Sequence, residues 1–128
     1  PGEHYTPYRG FIPKFIYHAL HGRPYTVYRG HKRIIDFVED SCRTWANIMD
    51  NFIPGEVYNV AGRPEWERAV GRDDSLVTYK DAEPYTTEIK TIDCSKAVRD
   101  LKHSPRVTPE EGIRRTVEWM KQYYRMCE

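Results

Sequence analysis

From Phe11 onward, apolar side chains fall at Phe11, Ile12, Phe15, Ile16, Ala19 and Leu20, the three-and-four spacing of a helix with one apolar face. Gly22 and Pro24 close it: glycine accepts the turn past the last helical residue, and proline cannot extend the helix. Tyr25 to Tyr28 then reads as a strand. An apolar run (Ile34, Ile35, Phe37, Val38) leads into a second helix, which Asp40 or Ser41 can cap by accepting hydrogen bonds from its first N–H groups. Trp45, Ile48, Met49 and Phe52 make one apolar face of it, and Pro54-Gly55 ends it. Glu56 to Val60 (EVYNV) reads as a strand, Pro64 to Gly71 as a short helix and Leu76 to Tyr79 as another strand. Asp81 to Thr87 reads as a loop and Ile89 to Ile92 as a short extended piece. Asp93 can cap a helix from about Cys94 to Leu101. Thr108, Pro109, Glu110 and Glu111 are a strong helix start, with a Thr cap, Pro in the first turn and Glu placed to close a capping box. Ile113, Val117, Met120 and Tyr124 continue that last helix's apolar face. No repeat or low-complexity tract interrupts the mixture of helices and strands, so the expected class is α/β or α+β.

At 128 residues the chain makes one domain at most, or a piece of one. Its 39% hydrophobic and 30% charged content is globular, and a chain of this size can bury most of the surface it exposes when unfolded. Twenty basic against nineteen acidic residues leave a formal charge of +1, without the basic excess of a dedicated nucleic-acid or membrane binder. No apolar run approaches the ~20 residues of a membrane span, and no signal-peptide pattern is visible. Cys42, Cys94 and Cys127 are odd in number, widely spaced and lack a CxxC, which suits a reducing, cytoplasmic setting and suggests neither a disulfide framework nor a thiolate metal site. The chain opens Pro-Gly and is expected to be part of a longer protein.

The candidate chemistry centres on Pro24 to Asp40. A short strand with Tyr28 at its end is followed by Arg29, His31, Lys32 and Arg33. Such a cationic loop suits an anion, and an aromatic at its edge suits a flat ring. Elsewhere the signals are weaker. His18 and His21 could share a metal from one helix, but no third ligand lies near in sequence, so a surface role is expected. Glu110 and Glu111 belong to a helix start, where carboxylates favour the helix dipole.

Several motifs occur in a telling order. A PGE lies near a loop leading to I-P-x-F-x-x-x-A-L-x-G (from Ile12), and P-x-x-V-Y follows from Pro24. Then come F-V-E-D (from Phe37), G-E-V-Y-N-V-x-G (from Gly55), D-x-S-K-A-x-x-x-L (from Asp93) and E-G-I-x-x-T-V-E-W (from Glu111). Over nearly the whole chain this set resembles the C-terminal half of extended short-chain dehydrogenases/reductases, the NAD-dependent nucleotide-sugar epimerases and 4,6-dehydratases. The resemblance implies an α/β fold of mixed helices and short strands, with residues 1–128 as the nucleotide-sugar-binding C-terminal portion of a longer enzyme. Its Rossmann half, holding NAD and the catalytic Tyr and Lys, would lie before residue 1, so no catalytic, cofactor-binding or metal-ligating residue is expected here. The portion alone should catalyse nothing. A cytoplasmic protein that is a homodimer when whole goes with the same resemblance.

Residue by residue, the resemblance puts Arg33 on the substrate diphosphate, where a planar permanent cation can hold two phosphate oxygens. Tyr28 and Thr26 match positions lining the nucleobase pocket, Phe11 an apolar substrate contact beside Gly10 and Arg9, and Asn59 a residue approaching the nucleotide. Each has a purely structural alternative: a solvated cation, a strand tyrosine, core packing for Phe11, and a local hydrogen bond for Asn59. Two departures stand out. Relatives carry a second phosphate-binding Arg in R-P-G-x-x-x-R-x-x-D, and here Glu83 takes its place, leaving Arg63 or Lys90 to compensate. The segment from Pro64 to Gly71 is short for the family's helix, so a missing stretch is expected near residues 66–69. The rival reading is a non-catalytic module that recognises a nucleotide or another protein.

Overall fold

The computed structural model describes residues 4–7, 10–30, 33–62, 74–81 and 90–126. In chain order its elements are α1 (Phe11–Leu20), β1 (Tyr25–Tyr28), α2 (Val38–Asn51), a 3-10 turn (Asp74–Leu76), β2 (Val77–Lys80), α3 (Ser95–Leu101) and α4 (Pro109–Tyr123). The chain forms two compact units. One comprises Pro1–His31, Arg68–Glu88 and Glu110–Glu128; the other comprises Lys32–Glu67 and Ile89–Pro109. The short helix expected at 64–71 and most of the loop expected at 81–87 lie outside the described residues.

In the first unit, α1 has the predicted bounds and starts after Gly10, whose φ of 65° is a left-handed conformation that glycine takes without a side-chain clash. β1 and β2 run parallel, pairing Tyr25 with Val77, Thr26 with Thr78, Val27 with Tyr79 and Tyr28 with Lys80. The second strand thus begins one residue later than its sequence pattern suggests, because Leu76 is drawn into the preceding 3-10 turn. Tyr25 is buried, and its ring stacks on Phe15 of α1 with centroids 5.2 Å apart. Further rings tie α1 to α4. Tyr17 stacks between Tyr5 at 4.2 Å and His21 at 4.0 Å, while Tyr124 meets it edge-on at 5.2 Å. The Tyr5 N–H donates to the Tyr124 hydroxyl at 2.9 Å, and Met120 of α4 is fully buried. His18 and His21 are turned to local use: their Nδ1 atoms lie 2.9 Å from the Pro24 carbonyl and 2.8 Å from the Tyr17 carbonyl. Carbonyls only accept, so both Nδ1 atoms carry the proton.

In the second unit, α2 packs on α3, with Ala97 and Leu101 fully buried. The α2 start corrects the sequence reading. Neither Asp40 nor Ser41 caps it; Phe37 stands at the cap position, and Asp40 already lies in the first turn. The Asp40 carboxylate, 2% exposed, reaches instead to the main chain after α3. It accepts the N–H groups of Arg106 and Val107, each at 3.0 Å, and pairs with Arg43 one turn along α2. The Ser41 hydroxyl donates to Asp36 Oδ2 at 2.6 Å. Deeper in, buried His103 bridges two segments: its Nε2 lies 2.7 Å from the Ala61 carbonyl and its Nδ1 2.7 Å from the Thr44 hydroxyl. The carbonyl requires Nε2 to donate, and the Thr44 hydroxyl also donates to the Asp40 carbonyl at 3.1 Å. α3 opens on an Asp93 carboxylate that accepts the Ser95 N–H at 2.9 Å, a bond that holds the Asp93 carboxyl below its usual range. It closes on Lys102 in a left-handed conformation, with the His103 N–H returning to the Ala97 carbonyl at 3.1 Å.

Two features of this unit bear on function. Glu56 to Val60, expected as a strand, forms no ladder among the described residues. Its alternating pattern is intrinsic to the sequence, but a strand exists only with a neighbour, and none of the described segments supplies one. The apolar face of α2 is also uncovered within the unit. Trp45 is 58% exposed, Met49 86% and Phe52 60%, with Val57 of the unpaired segment at 82%. What α2 does bury is polar or small: Asp40, Ser41 and Thr44.

Candidate functional site

Of the residues singled out in the sequence, Gly10, Phe11, Thr26 and Tyr28 lie in the first unit, and Arg33 and Asn59 in the second. Side chains along a strand alternate between faces, and paired residues of adjacent strands share one. Tyr25, Val27, Val77 and Tyr79 therefore occupy the face of β1 and β2 that carries the Tyr25–Phe15 contact. Thr26, Tyr28, Thr78 and Lys80 occupy the other. That second face is a polar strip of two hydroxyls, a phenol and an ammonium. The sequence reading found its β1 half and missed Thr78 and Lys80. The alternation in V-T-Y-K was a usable signal, but pairing with Thr26 and Tyr28 is a tertiary fact.

Phe11 stands at the first position of α1, 38% exposed, with its ring edge-on to Phe15 at 5.9 Å. Arg29, beside Tyr28, is committed elsewhere: its N–H donates to the Lys80 carbonyl at 2.9 Å, and its guanidinium lies over the Tyr79 ring at 5.3 Å. In the second unit, Arg33 is half-buried. Asn59 is exposed and donates from Nδ2 to the Asp93 carbonyl at 3.3 Å, which gives its side chain the local partner that the structural alternative requires. Next to it, Tyr58 donates to Asp100 at 3.3 Å under the Lys96 ammonium, 5.2 Å from the ring centroid. Desolvation and the Asp100 carboxylate push the Tyr58 phenol up. Arg9, Lys32, Arg63 and Glu83 lie outside the described residues.

A cleft of about 210 Å³ also opens in the second unit, lined by Arg43, Asn47, Lys102, Ser104 and Arg106 among others. It holds none of the residues predicted from sequence. Among the described residues, no group of three His, Cys, Asp or Glu side chains could hold a metal ion, and no helix is long and apolar enough to cross a membrane. The string from Tyr28 to Lys32 has the spacing Tyr-x-x-x-Lys. Tyr28 closes β1, and Lys32 lies outside the described residues.

No known family profile matches the chain. Individual proteins do. It is 31% identical over 142 residues to a dTDP-glucose 4,6-dehydratase of Neisseria meningitidis serogroup B, a match covering 91% of this chain and 40% of that protein. Its fold aligns with an epimerase of Methanothermobacter thermautotrophicus at a TM-score of 0.82 and 25% identity, covering 98% of this chain and 41% of that one. A UDP-glucose 4-epimerase from Thermotoga maritima, solved with UDP-glucose, aligns at 0.77 with 25% identity, covering 93% and 42%. The fold is thus one used by nucleotide-sugar epimerases and dehydratases. The chain belongs to their family, the extended short-chain dehydrogenases/reductases, and corresponds to its C-terminal portion. It spans about 40% of the length of the curated relatives it matches.

Among the described residues, no strand-to-helix passage is built as a glycine-rich phosphate loop. The strand-to-helix passage from β1 to α2 carries a single glycine, Gly30, and its helix opens with Glu39 and Asp40, which would repel a pyrophosphate.

Proposed function

We propose that this chain is the substrate-binding portion of an NAD-dependent nucleotide-sugar epimerase or 4,6-dehydratase. In this reading it grips the nucleotide diphosphate while hydride transfer takes place on a cofactor-binding half elsewhere in the protein. The observation that carries the reading is the 31% identity to a dTDP-glucose 4,6-dehydratase across 91% of the chain. Arg33 is assigned to the diphosphate, Tyr28 and Thr26 to the base, Gly10 and Phe11 to the loop and rim over the sugar, and Asn59 to the nucleotide's edge. The exposure of Phe11 and the polar face that carries Thr26 and Tyr28 support these roles. For Asn59 the support is balanced by its bond to Asp93.

The uncovered stripe of Trp45, Met49 and Phe52 and the unpaired EVYNV segment are what a missing sheet and its flanking helix would cover, so we assign them to packing against the cofactor-binding half. The same stripe is the feature that favours the rival reading, a protein-interaction module. The N. meningitidis match runs over 142 residues on 91% of a 128-residue chain, so that relative's segment is the longer one. We place the shortfall near residues 66–69. A cytoplasmic homodimer goes with the family reading rather than with any feature of the described residues.

Titration of the full-length protein with dTDP-, UDP-, GDP- and CDP-sugars tests the proposal. One of them should bind, and Arg33→Ala should weaken it by roughly ten- to a hundredfold, the range for a lost charged hydrogen bond. Affinity for the matching nucleoside, which lacks phosphate, should not change. If none of the four binds, the interaction-module reading replaces this one; if Arg33→Ala leaves the affinity as it was, Arg33 leaves the phosphate role.

A further inference from the structure

The polar strip contains a cation that the family motifs did not point to. β1 and β2 pair Tyr28 with Lys80 and Thr26 with Thr78, so these four side chains share one face. On the opposite face Tyr25 is buried against Phe15. A parallel pair covered on both sides reads as apolar throughout, and this one does not. Thr26 and Tyr28 are half-buried, whereas Thr78 and Lys80 are exposed. Adjacent strands lie about 4.8 Å apart, so an ammonium on the flexible four-carbon stem of Lys80 reaches past the edge of the neighbouring phenol.

Two observations separate Lys80 from the other nearby cation. Arg29 follows Tyr28 directly, but its guanidinium is placed over Tyr79, on the face away from Thr26 and Tyr28. The Lys80 main-chain carbonyl accepts the Arg29 N–H, which fixes the strand end, while its ammonium has no partner among the described residues. An exposed lysine at a strand end is often a solvated charge. Here it shares one surface with an aromatic and two hydroxyls.

We propose that Lys80 is a phosphate-binding residue of this chain, set beside Tyr28 by the strand register. The proposal rests on the nucleotide-diphosphate reading above and adds a residue to it. The ring of Tyr28 meets the base, the hydroxyls of Thr26 and Thr78 offer hydrogen bonds to the ribose side, and the Lys80 ammonium meets a phosphate oxygen as a point charge.

The test is calorimetric titration of full-length protein with UDP, dTDP and the corresponding nucleosides, before and after Lys80→Gln and Lys80→Arg. Lys80→Gln should weaken the bound diphosphate by about tenfold or more and leave the nucleoside unaffected. Lys80→Arg should keep most of the diphosphate affinity, and the salt dependence of binding should be shallower in the Gln variant than in the unaltered protein. Equal diphosphate affinity before and after Lys80→Gln overturns the proposal, as does an equal loss for diphosphate and nucleoside. If the unaltered protein binds no nucleoside diphosphate, the functional reading itself falls, a result distinct from either of those.

Discussion

Gly62→Ala is expected to destabilise the second unit by about 3 kcal/mol or more, seen as a large drop in the urea midpoint. A Cβ at position 62 would land on the Ile35 carbonyl oxygen, far inside van der Waals contact, with Ile35 C 2.9 Å and Asp36 Cα 3.2 Å away. All three are main-chain atoms, so no rotamer change relieves the overlap, and the two segments must part. The opposing effect is small. Alanine narrows the unfolded ensemble and favours folding by only about 0.4–1 kcal/mol. The clash decides the sign. An unchanged midpoint would show that the segments at 35–36 and 62 do not approach as described.

Asp40→Ala should cost about 3 kcal/mol by the same measurement. It leaves the Arg106 and Val107 N–H groups without an acceptor, at ~1–3 kcal/mol for each buried orphan, and strips Arg43 of its partner. Removing a buried carboxylate recovers some desolvation, which keeps the estimate below the full sum. Asp40→Asn should fall between, since an amide oxygen can serve one N–H while its NH2 faces the other. The group also carries a pH signature. Burial alone would raise the Asp40 carboxyl, but the two N–H donors and Arg43 outweigh it and hold the carboxyl below the usual aspartate range. A depressed carboxylate stabilises the fold fully above its unfolded pKa, and that contribution disappears as pH falls through the folded value. The unaltered protein should therefore lose stability progressively below about pH 4, and Asp40→Ala should flatten that part of the profile. Identical acid limbs in both proteins would remove Asp40 from this role.

Local rules found the parts of the fold that are local. The bounds of α1 and β1 follow from apolar spacing and the Gly22/Pro24 stop, and α4 starts on its Pro109 signal. Asp40 was misread because an acid at the head of a helical pattern is the usual sign of a cap. Its actual donors lie 66 and 67 residues away, beyond any local rule. His103 gave no signal at all, since a lone histidine in a polar stretch looks like a surface residue until Thr44 and Ala61 are seen around it. The EVYNV segment failed for a related reason: its strand character is written in the sequence, but its neighbour is not among the described residues. Of the candidate site, Thr26 and Tyr28 were legible as a strand end. Thr78 and Lys80 needed the register.

The buried polar contacts of the second unit also set how it must form. His103 reaches Thr44 across 59 residues and Ala61 across 42, and Asp40 reaches across 66 and 67. None of these bonds can form early from a nearby partner. Each waits for a long loop to close, an entropic toll taken before any contact repays it. The helices of this unit can flicker into existence quickly, but the unit itself locks slowly. Its rate is governed by the meeting of distant chain segments rather than by helix formation.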